Sequence, residues 1–582
     1  MGNKYVILAF LAVLTLPSFL GAQNLDPTVE VTREYEGKLM ETHKPSLEMA
    51  VPDSVMHFAL DFDYSVFENP YKGSYDFNPY LLSMRPSSTD RGEKDLYLRA
   101  GIGYQLKPEV DFVWSPGFRN KGFNMDVYAL HRSFLGNYWN ILPVESPDGE
   151  VVLQRKGNDE GGKTWAGIDL LTKAGVDCRY DAAGLAVDFG AGYYGLYQKD
   201  RAWKRGYNAL DLRLGFATKP ETAQSTVYDV KAVYRFGQDR LNGTAGLSEH
   251  IFDFDLAFGP VLTGVHRLRF DLGVDMASYS KVFVSAIGEV SVVPHYVFGK
   301  DRLHLDVGLR LAKLIRSKEM NGMFAAKEQI VYPDVTFSYA LLPQSLKFYL
   351  AAKGGNTIDT YSSIIERNHH VTYASAPALL DCTVEKVRTY AGFDGRISSV
   401  FSYNVKGGYV YYGNAMLDAV ALDAVPYASV RYAPYQKWFA AIDWLLKTER
   451  VRLDGSLSYD HAWGELFDTG YVGVAVLKPA ALTGDVSFEY NWNRRVFAGV
   501  DCSFSTARKG GFGMPGLGSD QAPLSMLKVP GYADLGFFAE YATARGLAFW
   551  VRAGNLLNMT VQRNPLYAER GVNFTLGICL SL

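Results

Sequence analysis

Gly571-Val572-Asn573-Phe574-Thr575-Leu576-Gly577-Ile578-Cys579-Leu580-Ser581-Leu582 closes the chain, and its reading decides the fold. Val572, Phe574, Leu576, Ile578, Leu580 and Leu582 share one parity; Asn573, Thr575, Gly577, Cys579 and Ser581 share the other. Side chains alternate along a strand, so this stretch has one apolar face and one small or polar face. The segment before it repeats the pattern, with Leu547, Phe549, Val551 and Ala553 opposing Trp550 and Arg552. A chain that ends inside a strand must pair that edge, and closing the last strand onto the first is the usual barrel solution. The pattern predicts an all-β protein, a transmembrane antiparallel β-barrel of outer-membrane type.

Working back from the end, the same alternation recurs. Leu98, Ala100, Ile102 and Tyr104 oppose Arg99, Gly101 and Gly103; Leu210, Leu212, Leu214 and Phe216 oppose Asp211, Arg213 and Gly215. Leu268, Phe270, Leu272, Val274 and Met276 oppose Arg267, Arg269, Asp271, Gly273 and Asp275; Leu303, Leu305, Val307, Leu309 and Leu311 oppose His304, Asp306, Gly308 and Arg310. A secreted soluble β-rich protein would alternate too, with its apolar face inward. Three features favour a membrane barrel. Arg and Asp sit side by side on the polar faces, as in a wet lumen. Tyr193-Tyr194, Tyr409, Tyr411-Tyr412, Trp438 and Trp492 crowd strand ends, as an aromatic girdle would. The alternation also runs from about residue 56 to the end with no helix-like stretch. At roughly 24 residues per strand this region fits about 22 strands, with 14–18 strands and long loops as the alternative. The polar interruptions Leu135 to Lys163, Lys353 to Glu385 and Arg508 to Lys528 are candidate extracellular loops.

Composition bounds the function. The chain has 582 residues, 48% hydrophobic and 14% aromatic, with 59 basic against 62 acidic residues and a net charge of −3. No basic bias points to nucleic acid. Four scattered cysteines, Cys178, Cys382, Cys502 and Cys579, suggest neither a disulfide framework nor a zinc site. Lys4, the short apolar run from Val6 to Leu16 and Leu20-Gly21-Ala22 read as a secretory signal peptide, residues 1–22, cleaved after Ala22. Residues 23–53 read as a polar periplasmic segment, and 54–582 as the barrel. The predicted location is the outer membrane, in contact with its lipid.

Gly531-Tyr532-Ala533-Asp534-Leu535, Glu540-Tyr541, Val551-Arg552-Ala553-Gly554-Asn555-Leu556-Leu557-Asn558 and Gly571-Val572-Asn573-Phe574-Thr575-Leu576-Gly577 resemble the C-terminal end of TonB-dependent receptor barrels. That resemblance implies transport across the outer membrane with TonB as a partner. Thr28-Val29-Glu30-Val31-Thr32 is similar to the short extended box that TonB pairs with in those receptors. Such receptors also place a plug domain before the barrel. Here strand-like alternation resumes at Met56-His57-Phe58-Ala59-Leu60-Asp61-Phe62-Asp63-Tyr64, and a segment as short as 23–53 could not bury a core of its own. The expectation is therefore a barrel lacking that plug.

Gly157-Asn158-Asp159-Glu160-Gly161-Gly162-Lys163-Thr164 matches the P-loop pattern, but Asp159 and Glu160 would repel phosphates and Trp165 to Leu170 alternates like a strand, so it reads as a polar loop. Glu366, His369 and His370 lie close in sequence, yet adjacent histidines on an extended chain point apart; no metal or cofactor is expected. No nucleophile elbow or other catalytic motif is found, so no enzyme is expected. Arg267, Arg269, Asp271, Asp275, His304, Asp306 and Arg310 are candidate pore-lining residues, able to brace the wall or tune what passes. Two functions fit: a channel or transporter for polar solutes, or a scaffold barrel occupied by a periplasmic or surface partner protein.

Overall fold

The structure, a computed structural model, describes residues 95–582 apart from 117–121, 157–161, 183, 202, 219–225, 261, 263–264, 281–285, 317–329, 344, 374–380, 424, 514–523, 544–545 and 570. Residues 1–22, 23–53 with Thr28–Thr32, and the strand-like 56–64 lie outside the described residues.

The described residues form a closed ring of 22 antiparallel strands, each paired with its neighbours in chain order. The first strand, Leu96–Gly103, pairs with Glu109–Trp114 on one side and with the last strand, Asn573–Ser581, on the other. The seam is finished by Leu96 N donating to Leu582 O at 3.1 Å and Leu582 N to Leu96 O at 2.9 Å. The terminal strand thus has both edges paired, as a chain ending in a strand requires.

Parity decides what the ring faces. On the strand Lys204–Thr218, Leu210, Leu212 and Leu214 are each about half exposed, and on the last strand Phe574, Leu576 and Ile578 are likewise exposed. The polar parity points to the inside of the ring. An apolar band exposed around a whole barrel has no stable place in water and is the lipid-facing surface of a membrane barrel. Adjacent aromatics divide accordingly. Tyr193, Trp438 and Trp492 are exposed on the outer face, whereas Tyr194 and Tyr412 are buried inward, Tyr412 stacked on Tyr435 at 4.7 Å. Tyr194 and Tyr412 therefore do not belong to the girdle, because neighbouring residues on a strand face opposite ways.

One end of the barrel carries short turns, such as 301–302, 398–400 and 493–495, where Asp301, Ser398, Asn493 and Arg494 take positive φ. The other end carries the long connections 140–163, 359–381, 464–481, 506–531 and 555–572. Short turns mark the periplasmic side and long loops the outside. The three loops expected from the sequence lie among them, but with shifted edges. Phe123–Trp139 and Leu346–Ile358 extend as strands well into the polar stretches.

The long loops are themselves structured. Ile141–Glu145, Val151–Arg155, Leu524–Val529 and Arg508–Gly513 build a four-stranded sheet outside the ring. Two short helices, α1 (Tyr361–Arg367) and α2 (Glu465–Thr469), correct the expectation of a helix-free chain. Thr360 caps α1 by accepting from Ser363 N, and Tyr361, Ile364 and Ile365 recur at helical spacing. Two turns are too few for that spacing to show against strand alternation. Ile141, Leu153, Tyr361, Ile364, Ile365, Leu527 and Leu566 join one buried apolar cluster, so loops distant in sequence share a core with the upper barrel wall.

On the inner face of the last strands, Trp550 lies against the wall, donating from Nε1 to Ile578 O at 3.2 Å with the Arg99 guanidinium 4.1 Å from its ring. A Cβ on Gly101 would stand 2.4 Å from the indole, so glycine there makes room for it.

Candidate functional site

The loop 359–381 carries α1 into the upper lumen. Arg205, fully buried on the strand Lys204–Thr218, donates to the carbonyls of Val371 and, at 2.5 Å, His369. Tyr361 donates its hydroxyl to Asp239, and Ser362 N donates to Glu249 at 3.4 Å. Glu366 pairs with Arg235 at 3.3 Å, while Arg235 also grips Asp211. His369 meets Asp169 at 3.0 Å, and Arg367 meets Asp418 at 2.9 Å. Asp169 lies on Thr164–Ala182 and Asp418 on Phe401–Ala421, strands half the ring apart. The loop is thus tied to opposite walls and forms a lid.

Other loops lock onto it. His370 Nδ1 accepts from the Gln198 side-chain amide, and its ring stacks on Tyr567 with centroids 3.5 Å apart; the Tyr567 hydroxyl donates to Asp200 at 3.2 Å. Arg508 also reaches Asp418 at 3.0 Å, so one carboxylate holds two arginines from two loops. Burial pushes His370 down to about 3, keeping it neutral. Burial pushes the carboxyl of Asp359, at the entry to the lid, up to about 7, against the hydrogen bond it accepts from Thr383.

Beneath the lid is a cavity of about 500 Å³. Glu366, Arg367, His369 and His370 form part of its roof, and Arg132, Lys437, Asp460, Asp485, Asp501, Asp534 and Arg552 are among its walls. Several of these charges are already paired: Arg132 with Asp111 at 2.5 Å, Lys437 with Asp460 at 2.9 Å, Arg563 with Asp534 at 2.5 Å. Asp485, Ser503 and Asp534 form one cross-strand row by register.

The residues read from the sequence as pore-lining share the inner parity, on a different sector of wall. Arg269 pairs with Asp271 at 2.9 Å. His295, not identified from the sequence, bridges Asp271 at 3.3 Å and Asp306 at 2.7 Å. Arg310 pairs with Glu289 at 2.8 Å, and Asp275 stands between Asp253 and Glu289 by register. Arg267 and His304 are exposed nearer the short-turn end and join neither group. His295 sits in Val292-Val293-Pro294-His295-Tyr296-Val297, where alternation is absent, and only the register to Arg269 places it.

Glu366, His369 and His370 go to three separate partners and do not converge, and among the described residues no cluster has metal-ligand geometry. Of the P-loop-like stretch, 157–161 lie outside the described residues, and Thr164 opens a strand, Thr164–Ala182, rather than a helix.

No family model and no curated protein matches the chain. Solved structures do. The FrpB iron transporter from Neisseria meningitidis is 11% identical, with 87% of this chain and 83% of that chain covered at a TM-score of 0.56. The siderophore receptor PirA from Acinetobacter baumannii is 9% identical over 84% and 80%, at 0.58. The outer membrane transporter YddB from Escherichia coli is 10% identical over 84% and 81%, at 0.55. At these identities the likeness is one of fold: a closed 22-strand outer-membrane barrel.

Proposed function

We propose that the protein is an outer-membrane transport barrel that closes its lumen with its own loops and passes a polar solute when the lid opens. The observation that carries this reading is a charge-lined cavity of about 500 Å³ roofed by a loop latched to opposite walls. An empty barrel of 22 strands would be a wide aqueous hole, so a closing element is needed. A lid of this kind suits a barrel without a separate plug domain ahead of it. Arg267, Arg269, Asp271, Asp275, His304, Asp306 and Arg310 would line the solute's route, with Arg269, Asp271, Asp306 and Arg310 bracing the wall through the pairs they make. Thr28–Thr32 would be the contact for TonB, testable by crosslinking that segment to TonB.

The deciding experiment is single-channel conductance of the purified protein in a planar bilayer. The expected record is closed with rare openings. A large steady conductance would overturn the closing role of the lid, and failure to insert would overturn the transport reading.

A further inference from the structure

We propose that the cavity takes a solute carrying a guanidinium or a primary amine, and that Arg563 is its tethered stand-in, holding the cation seat until the solute displaces it. This rests on the transport reading above and names the class of solute. Arg563 belongs to the long connection 555–572 and lines the cavity. Its Nη2 donates to Asp534 Oδ2 at 2.5 Å and to Ser503 Oγ at 3.2 Å, and its guanidinium carbon lies 5.7 Å from the centre of the Tyr532 ring. A carboxylate, a hydroxyl and an aromatic face together are groups that recognise a planar cation.

The seat is more acidic than one guanidinium requires. By register Asp485, Ser503 and Asp534 stand in one cross-strand row, and Asp501 stands one row nearer the short-turn end. A Cβ on Gly536, the cross-strand partner of Asp501, would stand 2.4 Å from Asp501 Oδ2, so glycine there lets this carboxylate lie across the neighbouring strand below Asp534. Among the described residues lining the cavity, Glu109, Asp485 and Asp501 have no ion pair, and Arg552 is the one cation without one. Three unpaired carboxylates against one unpaired guanidinium leave an excess of two negative charges with Arg563 in place. That excess selects for a cation and against an anion. The contact is also coupled to the lid. Arg508 donates to the Arg563 carbonyl at 3.1 Å and holds Asp418, the carboxylate that pairs with Arg367 of α1. Leu566, three residues beyond Arg563, is fully buried at φ 73, a left-handed backbone that disfavours leucine. The docked loop is thus held against local strain, and a solute that takes Asp534 from Arg563 removes one of its holds.

The test is isothermal titration calorimetry of the full chain in detergent with butylguanidinium and with butylurea, its neutral isostere. The wild type should bind the cation in preference to the urea. A charge-assisted hydrogen bond biases the seat toward Arg563 by about 10-fold to 100-fold, so Arg563→Ala should bind butylguanidinium tighter by about that factor. Arg563→Ala/Asp534→Asn should lose most of the gain. Unchanged affinity in Arg563→Ala, no binding of butylguanidinium by either protein, or equal affinity of the wild type for butylurea overturns the proposal. The wild-type comparison needs no variant, and heat-modified gel mobility equal to wild type confirms that the variants are folded. Failure of the transport reading shows separately, as steady conductance or failure to insert in a bilayer to which no probe is added.

Discussion

Arg205→Met should open the lid. Arg205 is fully buried and its guanidinium serves two lid carbonyls, those of His369 and Val371. Methionine fills similar space without donors. A hydrogen bond to a charged group is worth about 1.5–3 kcal/mol, so two lost bonds remove about 3–6 kcal/mol from the closed state. Part of this is returned, because the closed state no longer desolvates a cation. A net loss of about 2–4 kcal/mol remains, which shifts the lid equilibrium roughly 30-fold to 1,000-fold toward open. In a planar bilayer the open probability should rise by that factor, while the conductance of each opening stays the same, since the wall below is untouched. Arg205→Lys, which keeps the charge but loses the fork, should fall between. A folded Arg205→Met protein with wild-type open probability would refute the idea that this clamp holds the closing element.

Asp418→Asn strips the shared partner from Arg367 and Arg508 together, so its effect on open probability should exceed that of Arg508→Gln, and the two should be non-additive in a double-mutant cycle. Gly101→Ala places a methyl 2.4 Å from the Trp550 ring and should destabilise the barrel by about 1–3 kcal/mol in urea unfolding, with partial recovery in Gly101→Ala/Trp550→Ala. Two buried lid groups oppose each other in pH. Asp359, raised to about 7, favours the closed lid at low pH and loses that contribution as pH rises through 7; His370, lowered to about 3, favours it above its ordinary value and loses that contribution as pH falls toward 3. Wild-type open probability should therefore be nearly flat between pH 4.5 and 6.5, whereas Asp359→Asn should open on acidification by up to about tenfold per pH unit and His370→Gln should close; a parallel slope in both variants would refute this assignment.

The last strand was legible because the six apolar residues from Val572 to Leu582, four of them within the strand itself, lie on one parity, and the register Leu98–Leu580 and Ile102–Leu576 is the closure that pattern demands. Charges of the inner parity follow the same rule: Arg269 and Asp271 alternate with Leu268, Phe270 and Leu272, and Arg310 stands between Leu309 and Leu311. What parity cannot show is the distance between strands remote in sequence. Arg205 sits at the edge of a clear amphipathic strand, yet its partners are more than 160 residues away. Tyr361, Ile364 and Ile365 were hidden inside a polar loop because a two-turn helix leaves no sustained period. Glu366, His369 and His370 lie close in sequence and read there as a polar loop; each answers a different wall residue, a pairing the local sequence does not carry. Their purpose is written in Arg235, Asp169 and Gln198.

The lid's chemistry follows from where it must work. Tyr361, Ile364, Ile365 and Val371 are fully buried, and burying such side chains contributes about 2 kcal/mol each. The polar clamps add to this apolar anchoring, and they fix which wall residues the loop meets. Those clamps are placed on wall strands and reach the loop through two backbone carbonyls, at His369 and Val371, one backbone N–H, at Ser362, and the side chains of Tyr361, Glu366, Arg367, His369 and His370. A ligand in the cavity that competed for Asp418, or for the roof residues Glu366 and Arg367, would weaken the clamps from below. Only a ligand that binds the open state more tightly than the closed one can shift the equilibrium. On the proposed transport function, charged groups shared between roof and cavity would provide that difference, engaged by the lid in one state and free for solute in the other.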